Sequence, residues 1–208
     1  MATIIAFISQ KGGVGKSTLA RAVAREAANS DMKVKIADLD TQQGTSVDWN
    51  RTRMGQGTEP AISVESFGTV AQALAVADQY DLLIIDGPAR ASKGTLDIAR
   101  AADIVVQPSG ASADDLNPAI REFHALVKEG VPRSRIVFAL NRIGTEAEEA
   151  EARDYAQQAG YDVLAGFVPE RPAYRKAQNT GKSITETPYA GLNERADALI
   201  QSLIDRIQ

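Results

Sequence analysis

Two lysines five positions apart, in a glycine-rich segment, are the side chains of this sequence best suited to chemistry. The segment runs Gln10-Lys11-Gly12-Gly13-Val14-Gly15-Lys16-Ser17-Thr18, directly after the apolar run Ile4-Ile5-Ala6-Phe7-Ile8. Glycines let successive backbone N–H groups face one anion, and a helix that begins at the same point adds positive potential. Lys16 then reaches the β- and γ-phosphates, and the Ser17 hydroxyl can bind Mg²⁺. The segment predicts a site for a nucleoside triphosphate and Mg²⁺.

The segment departs from the usual phosphate-loop pattern at its first residue. The pattern G-x-x-x-x-G-K-[ST] places a glycine at position 10, where this chain has Gln10, and a second lysine, Lys11, precedes the glycine pair. A strand-to-helix turn that merely contains Gly and Lys is the alternative interpretation. The apolar run before the loop and the helical pattern after it favour the phosphate loop.

Two acidic segments follow strand-like runs and could supply carboxylates to the same site. Asp86 ends the run Leu82-Leu83-Ile84-Ile85 and precedes Gly87-Pro88, so it either holds Mg²⁺ beside the loop or starts a turn. Asp40, in Asp38-Leu39-Asp40-Thr41-Gln42-Gln43, is a candidate for orienting the attacking water and a candidate Mg²⁺ ligand. Its alternative role is to cap the helix that follows. We favour the chemical role for both.

The hydrophobic pattern predicts elements that would bring these residues together. Strands are predicted at 3–8, 34–38, 62–64, 82–86, 104–106, 136–140 and 163–167. Helices are predicted at 16–29, 46–54, 70–77, 114–129 and 146–159, with a final one across 192–207. This alternation predicts an α/β fold: a doubly wound, mostly parallel sheet with helices on both faces, as in P-loop NTPases, with ligands beyond the carboxyl ends of the strands.

Composition limits the class of protein further. The 208 residues, 44% of them hydrophobic, suit a single domain over 1–208. The absence of cysteine excludes disulfides and thiolate metal sites and is typical of a cytoplasmic chain. No apolar run approaches the roughly 20 residues that span a bilayer, so no membrane partner is expected. A net charge of −4 gives DNA binding no support from the whole chain, but leaves room for a local basic patch.

The double-lysine loop resembles the deviant Walker A motif of the ParA/MinD family of ATPases. The segment from Asp38 to Gln43 is similar to the family's Asp-x-Asp-Pro-Gln, with Thr41 in place of proline, and Asp86-Gly87-Pro88 to its Asp-Thr-Pro. The resemblance implies that Lys11 contacts the nucleotide of a second subunit, so that a homodimer encloses two ATP molecules. It also implies catalytic roles for Lys11, Lys16 and Asp40, and Mg²⁺ binding by Ser17, Asp86 and Asp40.

Segments near two later strand ends resemble the nucleoside-binding parts of the same family. Asn141-Arg142 stands where the family commonly has Asn-Lys or Asn-Arg, which implies a contact with the adenine edge. Val168 and Pro169 would contact the base through their main chain. An asparagine at a strand end is also a frequent turn residue.

The short chain most resembles the small ParA/ParF-type DNA partition proteins. That resemblance implies Mg²⁺-dependent hydrolysis of ATP to ADP, a ParB-like centromere-binding partner, and association of the ATP-bound dimer with the nucleoid through non-specific DNA binding. Candidates for the DNA surface are the cationic residues Arg171, Arg175, Lys176 and Lys182, although a solvated helix face is the alternative.

Two other functions are alternatives. A MinD-like regulator of cell division, or another cargo-positioning protein, is disfavoured at a membrane by the mixed charges of the final segment. A metabolic P-loop enzyme would need an acceptor pocket, for which the sequence offers no candidate.

Overall fold

The computed structural model describes residues 2–89 and 93–207, with only the backbone of Lys93, and its centre is a parallel β-sheet. The strands are β1 Thr3–Phe7, β2 Val34–Asp38, β3 Ser63–Ser66, β4 Leu82–Asp86, β5 Ile104–Ser109, β6 Ile136–Ile143, β7 Asp162–Val163 and β8 Val168–Pro169. Their order is β3-β2-β4-β1-β5-β6-β7, and β8 pairs with β6 beyond that path. The described strand pairs are all parallel.

Helices cover both faces of this sheet. They are α1 Lys16–Asn29, α2 Thr45–Gly55, α3 Val70–Leu74, α4 Lys93–Ala101, α5 Ala113–Lys128, α6 Glu146–Gln158, α7 Pro172–Asn179 and α8 Ala190–Ile204. Successive side chains from Ile5 to Ile8 pack in two different cores, one on each face of the sheet, because side chains alternate along a strand. Ile5 and Phe7 pack with residues of α1, α2, α7 and α8, whereas Ala6 and Ile8 pack with residues of α3, α4, α5 and α6. The predicted doubly wound fold is confirmed.

The topology places a crevice at the carboxyl end of β1. This strand lies between β4 and β5, and the chain that leaves it first builds the β2–β3 side of the sheet before crossing to the β5–β7 side. Ligands of open α/β sheets bind where the strand order reverses in this way. The predicted phosphate loop, Asp38 and Asp86 all follow or end strands at this edge.

The structure differs from the predicted elements in four places. The predicted strand at 163–167 is two short strands, β7 and β8, because Gly166 adopts a left-handed φ of 77° between them. The predicted helix at 70–77 ends at Leu74 and continues as a separate 3₁₀ turn, Ala77–Gln79. Helices α4 and α7 were not predicted; α7 is short and begins with a proline, Pro172.

The final helix packs on the sheet as its apolar spacing predicted. Ala196, Leu199, Ile200 and Leu203 of α8 are buried in the core that includes α1. Within residues 2–89 and 93–207, no helix combines the length and the apolar character needed to cross a membrane.

Candidate functional site

The loop between β1 and α1 ends in backbone N–H groups of α1 that no side chain caps among the described residues. Gly13 and Gly15 have φ values of 77° and 111°, in the left-handed region that favours glycine. Gly15 is the N-cap of α1 and offers no capping side chain, so the first amides of the helix lack such a partner. A helix N-terminus of this kind binds anions through its amides and its dipole. The loop therefore has the local form that its sequence predicted.

Two consecutive residues at the end of β6 hold the carbonyl groups of this loop. Asn141 Nδ2 donates to the Val14 carbonyl at 2.7 Å, and Arg142 Nη1 donates to the Gly13 carbonyl at 3.1 Å. A bulge between Asn141 and Ile143 and a φ of 61° at Arg142 accompany these contacts. In a trans peptide the N–H points opposite to the C=O. Fixing these carbonyls therefore fixes the direction of the next amides.

Lys16 is a largely buried cation among three carboxylates. Its residue is 7% exposed, and burial lowers its pKa, while the charges of Asp86, Asp40 and Glu122 raise it. A desolvated ammonium group interacts strongly with any anion that reaches it, because little water screens the pair. The burial of Lys16 is compatible with the phosphate contact that the motif predicts, and that contact stays a prediction.

Asp86, at the end of β4, keeps one oxygen available in this neighbourhood. The residue is 2% exposed and its Oδ2 accepts a 2.7 Å hydrogen bond from Ser46 Oγ. Its Oδ1 is buried and has no hydrogen-bond donor in the part of the chain that the structure describes. Burial raises the pKa of Asp86 to about 6, against the lowering effect of the Ser17 and Ser46 hydroxyls. A buried carboxylate oxygen without a donor fits a cation.

The residues present fit Mg²⁺ better than a metal held by protein alone. Among the described residues, no group of three or more His, Cys, Asp or Glu side chains could hold a metal ion. Mg²⁺ commonly takes one or two carboxylates and completes its shell with phosphates and water. Asp86 Oδ1 and the Ser17 hydroxyl, which lies 3.2 Å from Thr45 Oγ1, are the donors that would hold it here.

Asp38, which ends β2, and Asp40, which follows it closely in sequence, have different surroundings. These surroundings bear on whether Asp40 has a chemical role or caps the next helix. Asp38 is fully buried and accepts from the backbone amides of Asp40 and Ser46, each at 3.0 Å, so it shapes the loop after β2. Asp40 is half-buried and accepts from the Gln43 amide at 3.2 Å. The N-cap of α2 is Gly44, so Asp40 does not cap that helix. Its carboxylate instead lies near enough to Lys16 to raise the pKa of that lysine.

Lys11 lies in an ion pair within its own chain. Its Nζ is 2.5 Å from Asp115 Oδ1 and 3.4 Å from the Asp114 carbonyl oxygen. Pro118, inside α5, has no N–H to offer to the carbonyl four residues earlier, so the Asp114 oxygen lacks its helical donor. The predicted contact of Lys11 with a second subunit therefore requires it to leave Asp115.

Two cavities flank the loop. One of about 390 Å³ is lined by Gly13, Gly15 and both residues of β8, Val168 and Pro169, whose contact with the base stays a prediction. The other, of about 490 Å³, lies on the side of Lys11 and Asp115. Arg142 lines both cavities. Asn141 also lines the first cavity, where its observed side-chain hydrogen bond is to the Val14 carbonyl of the loop and its base contact stays a prediction.

The four DNA candidates separate into two pairs. Arg171 and Arg175 line the smaller cavity and contact Glu170, Arg175 through an ion pair of 2.5 Å. Lys176 and Lys182 are exposed and line a different cleft, of about 470 Å³. All four residues are exposed, but the arginines lie beside the cavity that β8 lines and the lysines lie beside another.

Sequence reasoning missed two residues that support the carboxylates. Ser46, in the first turn of α2, donates to Asp86. Arg21 of α1 is 8% exposed, and it donates to Ser46 Oγ at 3.3 Å and to Gln178 Oε1 at 2.7 Å. Burial lowers the pKa of Arg21 to about 10, while Asp86 and Asp38 oppose that shift. The one available signal was a charge within an otherwise apolar stretch of α1.

Comparisons of the sequence with known proteins give a family and a relative. The sequence profile of the CobQ/CobB/MinD/ParA nucleotide binding domain matches residues 5–184. An uncharacterised ATP-binding protein of Methanocaldococcus jannaschii is 30% identical over an alignment 215 positions long, gaps included, which covers 87% of this chain and 79% of that protein.

Two solved structures show the same fold. The septum site-determining protein MinD of Pyrococcus horikoshii, complexed with Mg-ADP, superimposes with a TM-score of 0.75 at 18% identity, over 98% of this chain and 96% of that one. A plasmid partition protein of Borrelia burgdorferi, described as putative and bound to AMPPNP, gives 0.75 at 16% identity, over 99% and 100%.

Proposed function

Because the chain belongs to the CobQ/CobB/MinD/ParA family of nucleotide-binding domains, we propose that it is a Mg²⁺-dependent ATPase that dimerises around ATP. The observation that carries this proposal is the pair of lysines on one loop. Lys16 is buried beside Asp86 and Asp40, whereas the Lys11 side chain is 46% exposed on the other side of the loop. One lysine therefore suits the phosphates of its own subunit, and the other is accessible to a second subunit.

The residues of one subunit have distinct roles in the proposed hydrolysis. The loop amides and Lys16 bind the phosphates, and Asn141 and Arg142 keep the loop carbonyls turned away. Asp86 and Ser17 would hold Mg²⁺, which when bound neutralises charge on the phosphates. Asp40 orients the attacking water. Phosphoryl transfer needs little further from the protein, because positioning and charge stabilisation supply most of the catalysis.

Dimerisation depends on nucleotide in this proposal. Two Lys11 ammonium groups that face each other across an interface repel unless negative charge lies between them. ATP phosphates supply that charge, and hydrolysis with phosphate release removes part of it. The ion pair with Asp115 gives Lys11 an alternative partner in the monomer.

We assign this ATPase to DNA partition, with non-specific DNA and a ParB-like centromere-binding protein as partners. The exposed lysines of the Lys176–Lys182 cleft support a DNA surface. Burial of the apolar residues of α8 in the core disfavours attachment to a membrane through that helix.

Nucleotide titration and light scattering test the ATPase and the dimer together. Wild-type protein should bind ATP and form dimers with a non-hydrolysable analogue. Lys16→Ala should lose tight binding, because the phosphate contact is lost. Lys11→Ala should bind nucleotide as a monomer, and Asp40→Ala should bind ATP but turn it over slowly. Dimers of Lys11→Ala that match the wild type would overturn the proposed sandwich.

A further inference from the structure

Glu122 of α5 contacts the first residue of the phosphate loop from the helix side. The residue is 4% exposed, although charged side chains are rarely buried to this degree. Its Oε2 accepts from the Gln10 backbone amide at 3.2 Å and from Gln107 Nε2 at 3.0 Å. Burial raises the pKa of Glu122, against the effects of the Gln10 amide and the Lys16 charge.

The hydrogen bond from Gln10 to Glu122 fixes the backbone at a position where the usual phosphate loop has glycine. The usual phosphate-loop pattern begins with glycine, and this chain begins with Gln10. An amide that donates to Glu122 is directed toward α5 and is not free to donate to a phosphate. The loop is then held at both ends, by Glu122 at residue 10 and by Asn141 and Arg142 at residues 13 and 14.

Stability does not account for a carboxylate at this place. Oε1 of Glu122 and Oε1 of Gln107 are both buried, with no hydrogen-bond partner among the described residues. Buried polar atoms that lack partners cost free energy, and an apolar side chain of similar size is often more stable than a buried charge. A costly group beside a binding loop indicates a role in that loop.

We propose that Glu122 is a positioning residue for the nucleotide: its carboxylate fixes the Gln10 amide, and with it the start of the phosphate loop, in the conformation that receives the phosphates. The inference rests on the proposed nucleotide binding and adds a residue from a helix outside the motif. Glu122 acts through the loop backbone, so no contact with the nucleotide is required.

Two variants of equal charge isolate the hydrogen bond. Glu122→Met has similar length and no acceptor comparable to the carboxylate, whereas Glu122→Gln retains an oxygen for the Gln10 amide. The side-chain NH₂ group introduced by Glu122→Gln can also donate to the unpartnered Gln107 Oε1. We expect Glu122→Met to bind ATP about tenfold more weakly, in line with the loss of a bond to a charged acceptor, while Glu122→Gln stays near wild type.

The readouts separate positioning from structure. Glu122→Met should unfold at the wild-type temperature or above it, and the Gln10 amide should exchange its hydrogen faster in nucleotide-free protein. Asn50→Ala, which removes a buried bond to the Ile62 carbonyl away from the loop, is the control and should lower stability without changing affinity. Unchanged exchange and affinity in Glu122→Met, or equal losses in the two Glu122 variants, would overturn the proposal. If wild-type protein binds no ATP, the proposed function fails, while exchange at Gln10 still tests the role of Glu122.

Discussion

At the scale of single residues, Asp86 shows how burial prepares a carboxylate for a cation. One oxygen accepts from Ser46, and the other is buried without a donor in the described chain. A proton or a divalent ion can satisfy that oxygen. Because burial raises the pKa of Asp86 to about 6, proton and metal compete for it under mildly acidic conditions.

We expect Asp86 to lower the stability of the protein without Mg²⁺ and nucleotide as pH rises. Its pKa is 3.8 in an unperturbed chain and about 6 when folded, so the folded state binds more protons between these values. The stability due to protonated Asp86 is therefore present below about pH 4 and is lost as pH rises through 6. The size of this effect is up to about 3 kcal/mol.

Urea unfolding with a chelator, in parallel for wild type and Asp86→Asn, measures this effect. The asparagine cannot ionise, so its stability relative to wild type should increase from about pH 4 to pH 7. Added Mg²⁺ and ATP should stabilise the wild type more than the variant. A constant difference across this pH range would show that Asp86 titrates normally.

At the scale of elements, α5 contacts the phosphate loop at two points, one buried and one at the surface. Glu122 holds Gln10 from within the fold, and seven residues earlier Asp115 holds Lys11 at the surface. Residues seven apart lie on the same side of a helix. Pro118 adds the free carbonyl of Asp114 to the surface contact. One helix thus bears on both the shape of the loop and the availability of its exposed lysine.

Asp115→Ala should strengthen ATP-dependent dimerisation. The variant removes the partner that Lys11 must leave, and a partly exposed ion pair is worth about 0.2–1 kcal/mol. Each dimer breaks two such pairs, so it should form at protein concentrations up to about 30-fold lower, with less difference at high salt.

Asp114→Ala is the matched control for this experiment. It makes the same change of charge on the same turn, but its contact with Lys11 is through the main-chain carbonyl, which remains. Analytical ultracentrifugation with a non-hydrolysable analogue gives both dissociation constants. Equal shifts in the two variants would indicate a general effect of charge and would exclude competition for Lys11.

At the scale of the whole molecule, any attraction to DNA must be local. The chain carries a net charge of −4, so its overall field repels a polyanion. Several surface arginines are already paired: Arg175 with Glu170, Arg195 with Glu146 and Arg206 with Asp162. The exposed Lys176 and Lys182 are better placed to contact phosphates than Arg175, which was predicted with them and is paired with Glu170.

Replacing Lys176 and Lys182 together by alanine should weaken ATP-dependent DNA binding and leave hydrolysis without DNA unchanged. Each lost phosphate contact should reduce the slope of log affinity against log salt by about 0.9. A double variant at the exposed Lys33 and Lys128 changes the net charge equally and should retain DNA binding. Electrophoretic mobility shifts across salt concentrations measure both. If the two pairs weaken binding alike, the DNA surface lies elsewhere.

The strands and the phosphate loop were predictable because their signals are local. A buried parallel strand is a short apolar run, as in Leu82–Asp86, and a phosphate loop requires glycines where φ is positive. The strand predicted at 163–167 was wrong because Gly166 turns the chain. Helix α7 was not predicted because it has too few apolar residues to show a helical spacing. Its buried residues are Tyr174 and Ala177.

The sequence by itself determined the chemistry of the phosphate loop, the parallel α/β fold and the order of the acidic segments. Tertiary structure alone decided which partners those residues have: Asn141 and Arg142 on the loop carbonyls, Glu122 on Gln10, and Asp115 on Lys11. These partners lie more than 100 positions from the loop in the chain, so no spacing or periodicity reports them. They meet because parallel strands bring their carboxyl ends to one edge of the sheet. Burial there strengthens each hydrogen bond, because the local dielectric is low.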